Sequence, residues 1–238
     1  MASSESSPEG LFNPEVIPLA LRECPQWVAW RYEDNGDAKP GKVPINPHTG
    51  GRASSVDPGT WGTFEAAVSA WIRDDGLAGL GFVFAADDPF CGIDLDECIG
   101  EDGQIAPSAL EIIKLLDSYS EVSPSGRGAK VIIRGHKPGF ARCKSKAIAG
   151  FKESEVYDQG RFFTVTGQHL EGTPRTVEDR QEDLNALCER LWPPKPSVPA
   201  EPHPRSWSRP GAMSIRQKSP TFWGGDSWSH RRRKRARF

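Results

Sequence analysis

The sequence predicts an α+β protein built on an antiparallel or mixed sheet. Strand-like and helix-like runs intermix along the 238 residues without regular βαβ alternation. A hydrophobic content of 37% over that length is enough for one sizeable core or two small ones. Residues 193–238 are Pro-rich and basic and cannot build a core, which confines the fold to the preceding part.

The elements follow in order. Residues 1–13 are Ser, Glu, Pro and Gly with little to bury, so a disordered N-terminus is expected. Residues 14–23 read as a short helix. WVAWRYE, from Trp27, alternates and is rich in β-formers; it reads as a strand closed by the turn signal DNGD. GKVPINPHTGG is a loop or short extended segment, since its prolines and glycines exclude a helix interior. Asp57 is placed to cap a helix with Pro58 at its first position. Phe64, Ala67, Val68 and Trp71 then recur at helical spacing. GLGFVFAADD and FCGIDLDE are consecutive strands, and SALEIIKLLDSYS is an amphipathic helix. AKVIIRG and SEVYDQGRFFTVTG supply further strands, and VEDRQEDLNALCERLW closes as a helix.

Composition narrows the function classes. There is no apolar run of transmembrane length, and MASSESSPEG lacks the basic and apolar regions of a secretory signal, so a soluble cytoplasmic protein with no membrane partner is expected. Cys24, Cys91, Cys98, Cys143 and Cys188 form no CxxC pair, which argues for packed thiols over a zinc site or disulfide framework. The net charge of −2 hides an asymmetry. The stretch 193–238 holds eleven Lys or Arg against two acids, a charge of +9, which leaves −11 for the rest. Anion binding in the body must therefore be local. The basic, Trp-containing tail has two readings: a single-strand-binding arm working by charge and stacking, or a disordered remnant.

CGIDLDE carries the main chemical signal. On a strand, Asp94 and Asp96 share one face while Ile93 and Leu95 share the other, toward a core. Two adjacent carboxylates repel unless a cation lies between them, and oxygen donors suit Mg²⁺ or Mn²⁺. For the pair alone, a solvated strand face is the competing explanation. Glu155, opposite Val156 on a later strand, is the third acid. Asp158 competes for that role, but alternation turns it away and DQG looks like a turn. Three carboxylates on neighbouring strands are a common way to hold two metals for phosphoryl or nucleotidyl transfer.

SPSGRGAKVIIRG offers a second signal. Ser125, Gly126, Arg127 and Gly128 precede a strand, where backbone N–H groups can form an anion-binding concavity. Lys130 and Arg134 fall on one strand face, and Val131 and Ile133 on the other. An ordinary glycine turn with solvated bases is the alternative, and the Walker A pattern is not matched. Arg161, opening RFFTVTG, can pair with a phosphate or stand as a surface arginine, and Lys39 and Lys42 share that ambiguity.

GIDLDE, SPSGRGAKVII and EVYDQGRFFTVTG, in this order and spacing, resemble the archaeo-eukaryotic primase superfamily, and above all its phage and mobile-element primase-polymerase domains. The opening WVAWRYE…GKVPINPHTGGRASSVDPGTWGTFEAA and the close FTVTGQHLEGTPRTVEDRQ look like the same group, and the likeness covers roughly residues 15–192. It implies a domain over residues 14–192 with a bilobal fold: an RRM-like sheet bearing the acids beside a smaller N-terminal αβ unit. It implies a two-metal site on Asp94, Asp96 and Glu155. Gly128 and Lys130 fall on the family's small-x-His motif, with lysine where histidine is usual. A lysine can still hold a phosphate as a point charge. The implied activity is template-directed nucleotidyl transfer from nucleoside triphosphates on single-stranded DNA template and primer, in phage or mobile-element replication. Ser125, Lys130 and Arg161 would hold the triphosphate, and Lys39, Lys42 or Arg52 would contact triphosphate or template. Such domains often work with a helicase; no helicase-sized region follows here, so that partner would be a separate chain. Two other readings compete: a non-catalytic nucleic-acid or nucleotide-binding module of the same fold, and a two-metal phosphodiesterase.

Overall fold

The computed structural model describes residues 14–36, 39–146 and 151–193. The expectations of a disordered N-terminus and a disordered basic tail lie outside these residues. Among them stand nine strands and four α-helices: α1 (Leu19–Arg22), β1 (Trp27–Glu33), β2 (Gly41–Ile45), α2 (Phe64–Arg73), β3 (Gly79–Phe84), β4 (Phe90–Asp96), α3 (Pro107–Leu116), β5 (Ser120–Val122), β6 (Ala129–Arg134), β7 (Lys144–Lys146), β8 (Glu153–Tyr157), β9 (Arg161–Val165) and α4 (Gln181–Leu191). No helix among them is long and apolar enough to cross a membrane.

The strands form two sheets, one ordered β2-β1-β3-β9 and the other β5-β6-β4-β8-β7. All pairings between these strands are antiparallel, so the fold is α+β with antiparallel sheets. Alternation sorts β4 as expected. Ile93 and Leu95 join Val131, Ile133 and Val156 in a core covered by Ile112 and Leu116 of α3 and by Leu184 and Leu187 of α4. A second core is shared by both sheets and α2. It contains Trp27, Phe82, Phe84 and Phe163 of the first sheet with Phe90 and Ile132 of the second. Each such buried side chain contributes about 1.5–3 kcal/mol.

The two sheets pack tightly at Gly92. A Cβ on it would stand 2.5 Å from ring carbons of both Phe84 and Phe163. Only a glycine lets those rings lie against β4 one pleat before Asp94.

Of the two readings offered for GKVPINPHTGG, its first part takes the extended one: GKVPI is a strand, paired with β1 from Ala29↔Ile45 to Glu33↔Gly41. Several other local expectations need correction. Asp57 caps a 3₁₀ turn at Pro58–Thr60, while α2 is capped separately by Thr63, whose Oγ1 accepts from Ala66 N at 3.2 Å. The single helix expected over 14–23 divides at Pro18 into a 3₁₀ turn, Pro14–Val16, and α1. Asp117 adopts a left-handed conformation (φ 33°) that ends α3, and Ser120–Val122 leaves as β5 instead of extending the helix. α4 begins at Gln181, after Val177–Arg180. Strand β7 has no apolar alternation and gave no sequence signal.

Candidate active site

The register of the second sheet aligns charged residues. Asp94 lies opposite Lys130 on one side and Glu155 on the other; Lys130 lies opposite Glu121, and Glu155 opposite Lys144. Directly opposed residues of an antiparallel sheet share a face, so Glu121, Lys130, Asp94, Glu155 and Lys144 form one row across five strands. The next row on that face holds Asp96 opposite Glu153.

The row is internally paired. Lys130 Nζ donates to Asp94 Oδ2 at 2.5 Å, with its side chain only 5% exposed and Asp94's 25%. The same ammonium stands 4.6 Å above the ring of Phe163. Glu155 accepts from Lys144 Nζ on Oε1 and from Arg161 Nη2 on Oε2 at 3.4 Å. Glu121, wholly buried, accepts from the backbone N–H of Thr166 and Gly167 and from the Tyr119 hydroxyl. Burial raises its carboxyl above the usual range, and those donors and nearby Lys130 oppose the shift.

Asp94, Glu155 and Lys130 open onto a cavity of about 250 Å³, whose remaining wall comes from Lys42 on β2 and from Arg161, Phe162, Phe163 and Thr164 on β9. It lies where β9, the edge of the first sheet, meets the acid-bearing face of the second. Desolvation by the surrounding cavity lowers the pKa of Lys42, although the residue as a whole is exposed, and the nearby positive charge of Lys130 adds to the effect. The Thr164 hydroxyl is buried and has no hydrogen-bond partner.

The structure therefore brings together five of the residues singled out from the sequence: Asp94, Glu155, Lys130, Arg161 and Lys42. Asp96 is on the same strand face but is not among the lining residues. Its side chain is 49% exposed and 3.9 Å from Lys152 Nζ. Among the described residues, no three Asp, Glu, His or Cys side chains stand close enough together to hold a metal ion. Asp158 points elsewhere, accepting from Lys137 N at 2.9 Å.

The glycine turn does not reach the cavity. Gly126 N donates to Ser123 O, Gly128 N to Ser123 Oγ, and Arg127 N to Ser125 Oγ. These amides close the turn on itself, leaving them no bond to offer an anion. Arg127 is spent on Ile99 O at 2.9 Å and on Glu101 at 3.6 Å. Gly128 is required because a Cβ there would stand 2.9 Å from Leu95 O. Ser125, Gly126, Arg127 and Gly128 thus shape the entry to β6. Arg134 shares a face with Lys130 as expected, but covers the Phe90 ring at 5.2 Å. Lys39 pairs with Glu97 at 3.2 Å and Arg52 with Glu33.

Sequence reading missed Lys144, Lys152, Glu121 and Thr164. Thr164 was hidden inside an apparently core-forming run. Glu121 falls between the expected helix SALEIIKLLDSYS and the glycine turn, in a stretch given no element. Lys144 had no signal at all, because its strand is three residues long and unpatterned.

Over 171 residues the chain is 39% identical to a DNA primase-polymerase of Nitratiruptor phage NrS-1. The match takes in 71% of this chain and 22% of that protein, so the chain spans about a fifth of the relative's length. No family model matches the chain.

Proposed function

Because the chain belongs to the phage-type DNA primase-polymerase family over its matched region, we propose that its cavity is the centre of a metal-dependent, template-directed nucleotidyl transfer from nucleoside triphosphates. The observation that carries the reading is the alignment of Asp94 and Glu155 in register on adjacent strands, facing Lys42, Lys130 and Arg161 across one cavity.

The donor set is oxygen only, which fits Mg²⁺ or Mn²⁺. Asp94 and Glu155, which line the cavity, would hold the ion; Asp96, half exposed in the next row and outside the lining, could join them only by turning toward the cavity. When bound, such an ion neutralises charge on the reacting phosphates and acidifies the attacking hydroxyl. The chain's own cations act on the same substrate. Lys42 and Arg161 face the cavity from the first sheet and can bind phosphate oxygens, Arg161 through two N–H groups at once. Lys130 holds Asp94 in place and supplies a fixed positive charge where histidine is usual. Phe162 and Phe163 give the cavity an apolar wall, which strengthens those charge interactions by thinning the water around them.

A second reading has its own support. Asp94 and Glu155 are already paired with Lys130, Lys144 and Arg161, and Asp96 stands outside the cavity, as in a nucleotide- or nucleic-acid-binding module that lacks catalysis. Primer extension separates the two. The full chain, given a primed template, each nucleotide set and Mg²⁺ or Mn²⁺, is expected to extend the primer, and Asp94→Asn to lose extension at least a hundredfold while still binding nucleotide. Nucleotide binding by the native chain with no extension under either metal would leave the binding module as the answer.

A further inference from the structure

Beside the phosphate-facing cavity is a second one, of about 400 Å³, with aromatic walls. Trp30 and Tyr32 contribute from one face of β1, their rings edge to face with centroids 5.0 Å apart, and Trp71 of α2 contributes from another side. Pro124 and Leu77 complete an apolar lining, and Asp75 supplies a carboxylate.

Two observations say what fits there. Trp30 is 2% exposed, yet its Nε1–H has no hydrogen-bond partner. That nitrogen packs against Gly79, another lining residue: a Cβ there would stand 3.1 Å from it. A buried donor without an acceptor is costly and calls for one supplied from outside. In addition, Lys42, which lines the first cavity, holds its Nζ 5.7 Å from the centre of the Trp30 ring. Trp30 therefore stands between a phosphate-binding cation and an aromatic cavity. The two cavities also draw on neighbouring residues of β9, Thr164 in the first and Val165 in the second.

A nucleobase meets these requirements. Its faces stack on aromatic rings, its ring nitrogens and carbonyl oxygens accept from an indole N–H, and its own backbone places a phosphate nearby. The base of an incoming nucleotide must face its template partner during templated transfer and cannot be withdrawn into a walled cavity. An unpaired base of the strand can. We propose that this cavity takes one unpaired base of the single-stranded template, with the adjoining phosphate near Lys42; the proposal rests on the primase-polymerase reading above.

The test is equilibrium binding of the full chain to a labelled single-stranded oligonucleotide and to an abasic strand of equal length, with no nucleotide or divalent ion present. Both strands carry the same phosphates, so their difference isolates the bases. The native chain is expected to bind the abasic strand about tenfold more weakly. Trp30→Phe, which keeps a ring and removes the donor, combined with Tyr32→Ala at a 48% exposed position, is expected to shrink that penalty about fivefold while abasic-strand affinity stays unchanged. A penalty equal in native and double variant overturns the proposal, as does a fall in nucleoside triphosphate affinity with the strand penalty intact. Neither result depends on extension, so failure here is distinct from failure of the nucleotidyl-transfer reading.

Discussion

At the residue scale, the pair Lys130–Asp94 is asymmetric. The ammonium is 5% exposed and the carboxylate 25%. Removing the carboxylate strands a buried charge, whereas removing the ammonium leaves an acid that water can reach. Asp94→Ala is therefore expected to cost about 1–3 kcal/mol, below the fully buried limit because of that partial exposure. Lys130→Met is expected to cost less. Thermal melts of the two variants check the order, and a lower melting temperature for Lys130→Met would contradict it. Lys42 sets a pH dependence. Desolvation at the cavity lowers its pKa even though the residue is exposed overall, so it loses its proton below the ordinary lysine value of 10.5 as pH rises. Nucleoside triphosphate affinity is then expected to weaken on the alkaline side, and Lys42→Arg, which stays charged, to flatten the profile in a titration of binding against pH. Stability runs the other way: the unfolded chain binds more protons below pH 10.5, so this group's contribution to folding rises with pH across that window.

At the element scale, β4 has to satisfy two demands on alternate residues. Ile93 and Leu95 fill the helix-covered core, while Gly92, Asp94 and Asp96 face the other way. Gly92→Ala would drive a methyl into Phe84 and Phe163. It is expected to destabilise by about 1–3 kcal/mol and lower the melting temperature by several degrees, read by calorimetry. The same alternation explains what could be read from the chain beforehand. Strand β1 was legible as a strand, and β4 and β6, where Asp94, Asp96 and Lys130 alternate with apolar neighbours, were legible with their facing directions. Pro44 left β2 undecided between loop and extended segment, because an edge position tolerates a residue without an N–H. The glycine turn looked like an anion cradle because spacing alone does not reveal that Ser123 and Ser125 take up its amides. Lys144 and Thr164 were illegible for a different reason. Their place in the site comes from partners distant in sequence, which no local pattern encodes.

At the scale of the whole molecule, the resemblance implied two lobes, and the structure has two sheets joined by one aromatic core that contains Phe82, Phe90, Ile132 and Phe163. Neither sheet can keep that core dry without the other, so residues 14–193 are expected to unfold in one step. Far- and near-ultraviolet circular dichroism should give coincident thermal midpoints; two resolved transitions would mean the sheets are independently stable. The order of the strands has a further consequence. The first sheet receives β9 only after β4 to β8 have been made. A nascent chain halted before residue 161 would expose Gly79–Phe84 as an open, apolar hydrogen-bonding edge. During translation, the early half must therefore wait, vulnerable to strand addition by neighbours, until nearly the last part of the domain has left the ribosome.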